Sequence, residues 1–419
     1  MTLVSAQAST SSKNLWLLIL VSALGYFVDV FDLLLFGVVR TKSLLELGVA
    51  KSDALTVGLN VFNWQMGGIL LGGFAWGIIG DKRGRLSVLF GSIIFYSLAN
   101  IANAFVHTVA AYEVCRFIAG FGLAGELGAG VTLVSECMPG KSRGWGTMLI
   151  ATIGVPGAIL AAWVGNNYSW RSAYEIGGGM GLLLLLLRLG VYESGLYSAV
   201  SKTEVARGSL RLLFSSWSRF YRFLLCILSG LSCYLVIGIL ILSAPEFGTA
   251  FKLNPGPDAG KAITYAYTGL TLGGVLCSGL SQWVGRRKLA FITFHVISLV
   301  AILVYLYCPP ADLPGYYARC LFLGVGVGFW ALMVTNAAEQ FGTNLRATVT
   351  TATPNLVRGA QIPISWAFNF ARSPAGLGLG IVNGAALVGI TCVVVAIVAV
   401  CLLKETFGRS LDFVETEPP

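Results

Sequence analysis

The stretch GYFVDVFDLLLFG, residues Gly25–Gly37, places Asp29 and Asp32 inside an apolar run that extends from Leu15 to Val39. A helix needs ~20 apolar residues to cross the ~30 Å hydrocarbon core of a bilayer, and this run is long enough. A charged side chain is costly at that depth, so ionisable residues there face a bundle interior and are candidates for function. A spacing of three puts both carboxylates on one helix face. The stretch therefore predicts a membrane-spanning helix with two functional acids.

The composition of the whole chain is that of an integral membrane protein, with the lipid bilayer as a partner. Of its 419 residues, 56% are hydrophobic and 11% are charged, whereas soluble proteins carry about 25% charged residues. The net charge of +9 comes without a basic block or an aromatic-interleaved patch, so no nucleic-acid partner is predicted. The nine cysteines are scattered without CxxC pairs or metal-ligand spacing, and neither a disulfide framework nor a metal site is predicted.

The apolar runs predict an all-α fold of about twelve transmembrane helices. The predicted spans are 15–39, 57–79, 86–106, 108–136, 143–165, 171–191, 221–245, 262–282, 289–307, 313–338, 347–372 and 376–403. Polar–apolar alternation is absent, so barrel strands are not expected. The predicted organisation is a cytoplasmic leader (1–14), a six-helix bundle (15–191), a cytoplasmic linker (192–220), a second six-helix bundle (221–403) and a cytoplasmic tail (404–419).

The distribution of Lys and Arg predicts the orientation. With the N-terminus inside, the cytoplasmic segments hold about 17 basic residues and the outer segments about 7, the bias expected of cytoplasmic loops. Both termini are therefore predicted to be cytoplasmic, in a multi-pass protein of the inner membrane. The polar leader precedes a run that is too long for a signal peptide, so the first helix is expected to be retained.

The two halves of the chain repeat each other. Three patterns recur about 201–203 residues apart: Gly84-Arg85 as Gly285-Arg286, Arg116 as Arg319, and Glu136 with Arg143 as Glu339 with Arg346. Three matches in register favour an internal duplication. Duplicated parallel six-helix halves with a binding site between them are the architecture of one class of secondary transporter.

Motifs in the loops resemble those of the major facilitator superfamily, in its sugar-porter and metabolite–proton symporter branches. The resemblance covers essentially the whole chain: Gly77–Arg85 resembles the loop 2–3 motif, Arg116–Gly125 the fourth-helix motif, Glu136–Gly144 the motif that follows it, and Glu193-Ser194 and Glu405–Arg409 the acidic motifs after helices six and twelve. It implies two pseudo-symmetric six-helix halves, alternating access, and no cofactor, with a proton gradient as the energy source.

Two departures from the hexose porters argue against a hexose substrate. The second-half loop Gln282–Arg287 lacks the aspartate present in the first half. The seventh helix, around Leu228–Ser232, lacks the paired glutamines typical of those porters.

Four residues are predicted to take part in proton coupling, namely Asp29, Asp32, Arg116 and Glu126. In the resembling symporters an acid on helix one and an arginine on helix four form the coupling pair, which implies this role for Asp32 and Arg116. The two also lie at matching depths, because the helices run in opposite directions. An arginine favours a carboxylate's charged form and burial its neutral form, so opening the pair can move a proton. The alternatives are a fixed ion pair for Asp32, a hydrogen-bonding or substrate-contact role for Asp29, and a protonated donor to a carbonyl for Glu126.

Substrate contact is predicted first for Arg358, because a free arginine in a cavity suits a carboxylate or phosphate. Its alternatives are a pair with Glu339 or binding of carbonyls at a helix break near Pro354 and Gly359. Further candidates at similar depth are Asn63, Trp64, Tyr265, Tyr267, Trp330, Asn355 and Gln361. Aromatic residues near helix ends are more often interfacial or packing residues.

A cytoplasmic gate is predicted from charged loop residues. The resemblance implies an ion-pair cluster that holds the cytoplasmic side closed, and the candidates are Asp81, Arg85, Glu136, Arg143, Arg286, Glu339 and Arg346. The alternative is that the basic residues only set the topology. Asp81 and Glu136 favour the gate, since acids add nothing to the positive-inside bias.

The predicted function is a proton-coupled symporter for a small polar metabolite, with an organic acid or organic ion favoured over a sugar because of Arg358. The alternatives are a sugar–proton symporter and a proton-driven efflux antiporter for drugs or cations. An enzyme is not predicted, because the sequence offers two end-placed histidines and no nucleophile–base or metal cluster. The expected partners are the substrate, protons and lipid, and the protein is expected to be monomeric.

Overall fold

The apolar runs form helices throughout the computed structural model, which describes residues 12–83, 85–126, 150, 153–193, 213–408 and 415. The helices of the first half are α1 (Ser12–Glu46), α2 (Ala54–Arg83), α3 (Arg85–Asn103), α4 (Val109–Leu123), α5 (Gly157–Asn167) and α6 (Trp170–Glu193). Each predicted span of this half overlaps a described helix. The fourth and fifth do so only in part, because 127–149 and 151–152 lie outside the described residues.

The second half follows the same plan with more interruptions. Its helices are α7 (Trp217–Leu228), α8 (Leu231–Leu235), a π-helix (Val236–Ile241), α9 (Ala244–Ala250), α10 (Ala259–Val284), α11 (Arg287–Tyr307), α12 (Leu313–Gly326), α13 (Trp330–Glu339), α14 (Thr343–Gly359), α15 (Gln361–Arg372) and α16 (Gly380–Leu402). Within the described residues, six segments are long and apolar enough to cross a membrane: Ile19–Glu46, Trp170–Leu189, Trp217–Ile241, Arg287–Tyr307, Leu313–Glu339 and Gly380–Leu402.

The duplication seen in the sequence is also present in the packing. Helix α2 packs on α4 as α10 packs on α12, and α3 packs on α6 as α11 packs on α16. Gly68 lies against the backbone of Phe117, and Gly269 lies against the backbone of Leu321, so a side chain at either glycine would collide with the neighbouring helix. Small residues at such contacts let membrane helices approach closely.

Three of the predicted membrane spans of the second half, called here the seventh, tenth and eleventh passages, are interrupted. The seventh passage breaks at Ser229 and Gly230 and then continues into the π-helix, the tenth breaks between α12 and α13, and the eleventh breaks at Ala360. Pro354 lies inside α14 and does not end it. Discontinuous helices and π-helices often form binding sites, since they redirect side chains and free backbone groups.

The two halves meet along α2 with α14 and α15, and along α10 with α1 and α5. On the predicted outer side, α1 extends through Arg40, which the sequence assigned to a loop, and the buried guanidinium reaches the second half. Its Nη2 donates to Glu246 Oε1 at 2.7 Å and to the Leu242 carbonyl at 3.2 Å. These bonds fasten α1 to the seventh passage on that side.

Candidate functional site

A cavity between the two halves has an aromatic wall and one charged residue. It holds about 410 Å³ of space, including the part that opens to solvent. Its polar and aromatic lining comprises Tyr26 from α1, Tyr234 from α8, Tyr267 from α10, Trp330 from α13 and Arg358 from α14. Tyr234 and Trp330 face each other with ring centroids 5.9 Å apart. Ligand pockets are mostly apolar, with a few polar groups that fix orientation.

Arg358 is buried and joins the two halves at the cavity. Its Nε donates to the Tyr234 hydroxyl at 3.2 Å, and its Nη2 donates to Oδ2 of Asp29 at 3.4 Å. Its Nη1 has no hydrogen-bond partner among the described residues. The partner of Arg358 is therefore Asp29 of the first half, and the alternative pair with Glu339 is not formed.

Asp32 and Arg116 lie in contact within the first half, as their matching depths predicted. Arg116 Nη1 donates to Asp32 Oδ1 at 3.3 Å, and both side chains are 0% exposed. Arg116 also donates to Asn100 Oδ1 and lies over the ring of Tyr174, 4.4 Å from its centroid. In the described part of the chain, Asp32 Oδ2 has no partner. The contact is present, and the proton-coupling role of the pair stays a prediction.

Glu126 pairs with an arginine that the sequence analysis missed. Arg188 on α6 donates from Nη2 to Glu126 Oε2 at 2.8 Å and from Nη1 to Oε1 at 3.0 Å, and Ser92 donates to Oε1 at 2.8 Å. All of these side chains are buried. The predicted alternative of a protonated glutamic acid that donates to a backbone carbonyl does not fit, because this carboxylate accepts from an arginine fork.

Helix α1 brings the three ion pairs together. Asp29 and Asp32 lie on its inward face, and Gly25 lies one turn before Asp29. A Cβ at Gly25 would collide with Arg188 Nη2 and crowd Glu126 Oε2. The three carboxylates and three arginines balance in charge. This balance matters because an uncompensated buried charge costs several kcal/mol.

The Glu126–Arg188 pair gives a stability prediction. Removing one partner of a buried pair costs about 3–5 kcal/mol, whereas removing both leaves no uncompensated charge. We expect Arg188→Gln to lower the melting temperature of the purified protein more than the double variant Glu126→Gln/Arg188→Gln does. Lys261→Gln, at an exposed position, is the control and should leave the temperature unchanged. Equal losses in the single and double variants would contradict the pairing.

Two of the other predicted binding residues lie in helix contacts and not in the cavity lining. Asn355 Nδ2 donates to the carbonyl of Ala124 at 3.0 Å, which ties α14 to the end of α4. Gln361 donates to Ser365 at 2.7 Å and packs on Gly238 of the π-helix. Neither side chain lines the cavity, and a role of either in substrate binding stays a prediction.

Three more candidates also fall outside the lining. Trp64 is 45% exposed and meets Phe117 edge-on, and Tyr265 is 42% exposed and stacks on Tyr317. Asn63 is buried, but it does not line the cavity. Trp330 does line it, and Tyr267, two residues after Tyr265, contributes the aromatic ring that α10 turns inward.

The predicted cytoplasmic gate is described only in part. Glu339 pairs with Arg287 at 3.0 Å instead of with Arg346, whose Nε donates to the Ala338 carbonyl at 3.2 Å. Arg286 is exposed. The remaining candidates are not described at side-chain level: Asp81 and Arg85 lie in α2 and α3, and Glu136 and Arg143 lie outside the described residues.

The acidic motif after the twelfth helix fastens this face of the second half. Glu405 accepts hydrogen bonds from the backbone N–H groups of Arg287, Lys288, Thr406 and Phe407, at distances of 2.9–3.1 Å. Partial burial opposes ionisation, but these N–H groups outweigh it and hold the pKa of the Glu405 carboxyl below its ordinary value. Thr406 also donates to Glu339 Oε2 at 2.7 Å.

Sequence reasoning missed several residues at the site. Arg188 had a usable signal, because it interrupts the leucine-rich run Gly181–Gly190. Tyr26 had a weaker one, because it precedes Asp29 by three residues and so shares its face. Tyr234 and the Arg40–Glu246 contact carried no signal, since both depend on how the two halves meet.

The family model described as Major Facilitator Superfamily matches residues 15–360 of the chain. Three curated relatives are similar over most of their length. A putative metabolite transport protein of Haemophilus influenzae is 25% identical, over 95% of this chain and 98% of the relative. A probable 4-methylmuconolactone transporter of Cupriavidus pinatubonensis is 24% identical, over 93% and 90%. A gentisate transporter of Corynebacterium glutamicum is 24% identical, over 78% and 74%.

The fold matches that of a solved transporter. The structure of the proton:xylose symporter XylE bound to 6-bromo-6-deoxy-D-glucose superposes with a TM-score of 0.73, over 96% of this chain and 98% of that one. The two sequences are 16% identical. The two-half helical architecture predicted from the sequence is therefore confirmed at the level of fold.

Proposed function

The chain belongs to the major facilitator superfamily, and from this premise we propose that it carries a small ring-bearing carboxylate across the membrane by proton-coupled alternating access. The family and the names of the relatives make the protein a transporter of small molecules and not an enzyme. The substrate class and the coupling to protons are the proposed parts.

The observation that supports the substrate class is Arg358 in an aromatic-walled cavity. A guanidinium offers paired N–H donors that match a carboxylate, and Nη1 of Arg358 has no partner among the described residues. Tyr26, Tyr234 and Trp330 offer flat faces to a ring, and aromatic rings stack on one another favourably. The relatives named for 4-methylmuconolactone and gentisate carry cyclic compounds of this kind.

Proton coupling is supported by the Asp32–Arg116 pair. Asp32 is fully buried, is held by one arginine contact at 3.3 Å, and keeps Oδ2 without a partner in the described chain. Arg116 retains Asn100 and the face of Tyr174 when Asp32 lets go. Protonation of Asp32 would therefore release its carboxyl from Arg116. Arg116 would still keep its hydrogen bond to Asn100 and its contact with the Tyr174 ring.

The proposal is tested by binding and uptake of matched ring compounds. We expect gentisate, benzoate, 4-hydroxybenzoate or nicotinate to raise the melting temperature of the purified protein, since a ligand stabilises the state that it binds. The corresponding amides, which keep the ring and lose the charge, should not. Uptake into proteoliposomes should rise when the outside is made acidic.

Two outcomes would contradict the proposal. Stabilisation by xylose or glucose in place of the acids would make the sugar alternative correct. Equal stabilisation by acids and amides would remove Arg358 from recognition.

A further inference from the structure

Arg358, the arginine that lines the cavity, already has the carboxylate of Asp29 beside it. Arg358 is charged at all working pH values, and a buried charge without a partner costs several kcal/mol. Asp29 supplies the compensating charge through the 3.4 Å contact between its Oδ2 and Nη2 of Arg358. The contact also crosses from α1 to α14, so it joins the two halves.

The single charge of Arg358 can balance one buried carboxylate and not two. Nε is taken by the Tyr234 hydroxyl, Nη2 contacts Asp29, and Nη1 has no partner in the described chain. A carboxylate that binds a guanidinium in a bidentate manner needs two neighbouring N–H groups. At Arg358 these are on Nη1 and Nη2, so an incoming carboxylate would share Nη2 with Asp29, and two carboxylates beside one guanidinium would leave a buried negative charge uncompensated.

The contact of Asp29 with Arg358 is suited to exchange. It is long at 3.4 Å and uses a single oxygen, and Oδ1 of Asp29 has no partner among the described residues. By contrast, the Glu126–Arg188 pair has two short bonds of 2.8 and 3.0 Å and a further donor in Ser92. The Asp29–Arg358 contact is therefore the one that another anion can replace, and the Glu126–Arg188 pair is a structural contact.

We propose that Asp29 is the anion that the substrate carboxylate displaces from Arg358, and that Asp29 takes up one proton as it is displaced. This inference rests on the proposed function. In the empty carrier, Arg358 and ionised Asp29 sum to zero charge. In the loaded carrier, Arg358, the substrate carboxylate and protonated Asp29 also sum to zero. One O–H bond forms on Asp29 with a proton from water, and no other covalent bond changes.

The exchange has consequences for specificity and stoichiometry. An uncharged molecule of the same shape cannot replace Asp29, because Arg358 would lose its counter-charge. One proton accompanies each monovalent carboxylate through this site, so loading is electroneutral. Breaking the Asp29–Arg358 contact when substrate binds also removes one interaction between α1 and α14, and so between the two halves. This fits a carrier in which one half moves against the other around the binding site.

The other titratable groups near this site include two carboxylates, each of which has its own arginine. Those within electrostatic range of Asp29 or Arg358 are Tyr26, Asp32, Tyr96, Glu126, Cys233, Tyr234 and Tyr267. Asp32 has Arg116, and Glu126 has Arg188. Among the described residues, Asp29 is thus the carboxylate of this group whose one cation is the arginine that the substrate needs.

The test is calorimetric binding of benzoate to the purified full chain at about pH 5.5 and about pH 8, a range over which this ligand stays ionised. For the wild type we expect affinity to fall as the pH rises, by up to about tenfold per pH unit, the limit for one bound proton. Buffers of different ionisation enthalpy should report uptake of one proton per benzoate. Asp29→Asn should bind tightly at both pH values with no proton uptake. Asp29→Glu should restore the pH dependence, and Asp53→Asn, at an exposed position, should match the wild type.

Each alternative outcome has a definite meaning. If benzoate binding depends on Arg358 but Asp29→Asn keeps the wild-type pH dependence and proton uptake, Asp29 is not the displaced anion. If the pH dependence persists in Asp29→Asn and is lost in Asp32→Asn, the proton belongs to Asp32 and the proposal is overturned. If benzoate does not bind the wild type, or binds Arg358→Gln equally well, the proposed function fails together with this inference.

Discussion

Arg358→Gln is expected to abolish carboxylate transport. Removing one partner of a buried, charged hydrogen bond costs about 2–5 kcal/mol. Since each 1.4 kcal/mol is about a factor of ten, the uptake efficiency should fall by about 30-fold to several thousand-fold. Glutamine keeps an N–H donor, but it is shorter than arginine and carries no charge, so it cannot balance a buried carboxylate. The measurement is initial uptake of labelled benzoate or gentisate into proteoliposomes, as kcat/KM.

Two variants show whether the loss reflects the carboxylate contact. Arg358→Lys keeps the charge and loses the planar fork, so it should retain partial uptake. Lys261→Gln makes the same exchange of cation for amide at an exposed position and should transport normally. Wild-type affinity for the acid in Arg358→Gln would exclude this residue from the binding site.

Asp32→Asn is expected to weaken the coupling of substrate uptake to the proton gradient. Asparagine preserves the volume and one acceptor oxygen for Arg116, but it cannot carry a proton. Arg116 keeps Asn100 and the ring of Tyr174, so the helices should remain packed. Because the proton proposed for Asp29 still accompanies the substrate, we expect accumulation driven by a pH gradient to fall below that of the wild type, while exchange of internal for external substrate stays measurable.

The same vesicles measure both activities. Uphill uptake is followed with an acidic exterior, and counterflow is followed with equal pH and substrate preloaded inside. Asp53→Asn, at an exposed position, should retain both. Accumulation at the wild-type level by Asp32→Asn would show that the Asp32–Arg116 pair is a packing contact and that no coupled proton is carried there.

The Asp32–Arg116 contact could be predicted because few partners were possible for either residue. Each residue is an ion inside an apolar run, and a buried ion must be paired. The antiparallel direction of helices one and four placed the two at the same depth. The superfamily motif then identified Arg116 as the arginine that pairs with the acid of helix one.

The partners of Arg358 and Glu126 could not be predicted in the same way. Arg358 is paired with Asp29, about 330 residues away, and Glu126 with Arg188, on a helix whose predicted span ended at 191. Both pairings depend on the rotation of each helix about its own axis. A buried membrane helix that is apolar on all sides carries little information about that rotation, which is also why the sequence could not distinguish Tyr267, which lines the cavity, from Tyr265, which does not.

The sequence by itself determined the environment, the helical class and the two-half plan, because run length, loop charge and internal repetition are local quantities that a bilayer constrains strongly. It also determined that Asp29, Asp32, Arg116 and Arg358 had to lie in an interior. Only the tertiary structure decided which ions pair, that Arg188 takes Glu126, and that Asp29 reaches across to Arg358. These choices follow from close packing between helices and from the contact between the two halves. Turning a helix about its own axis by the angle between two successive residues replaces a cavity-lining side chain with a lipid-facing one.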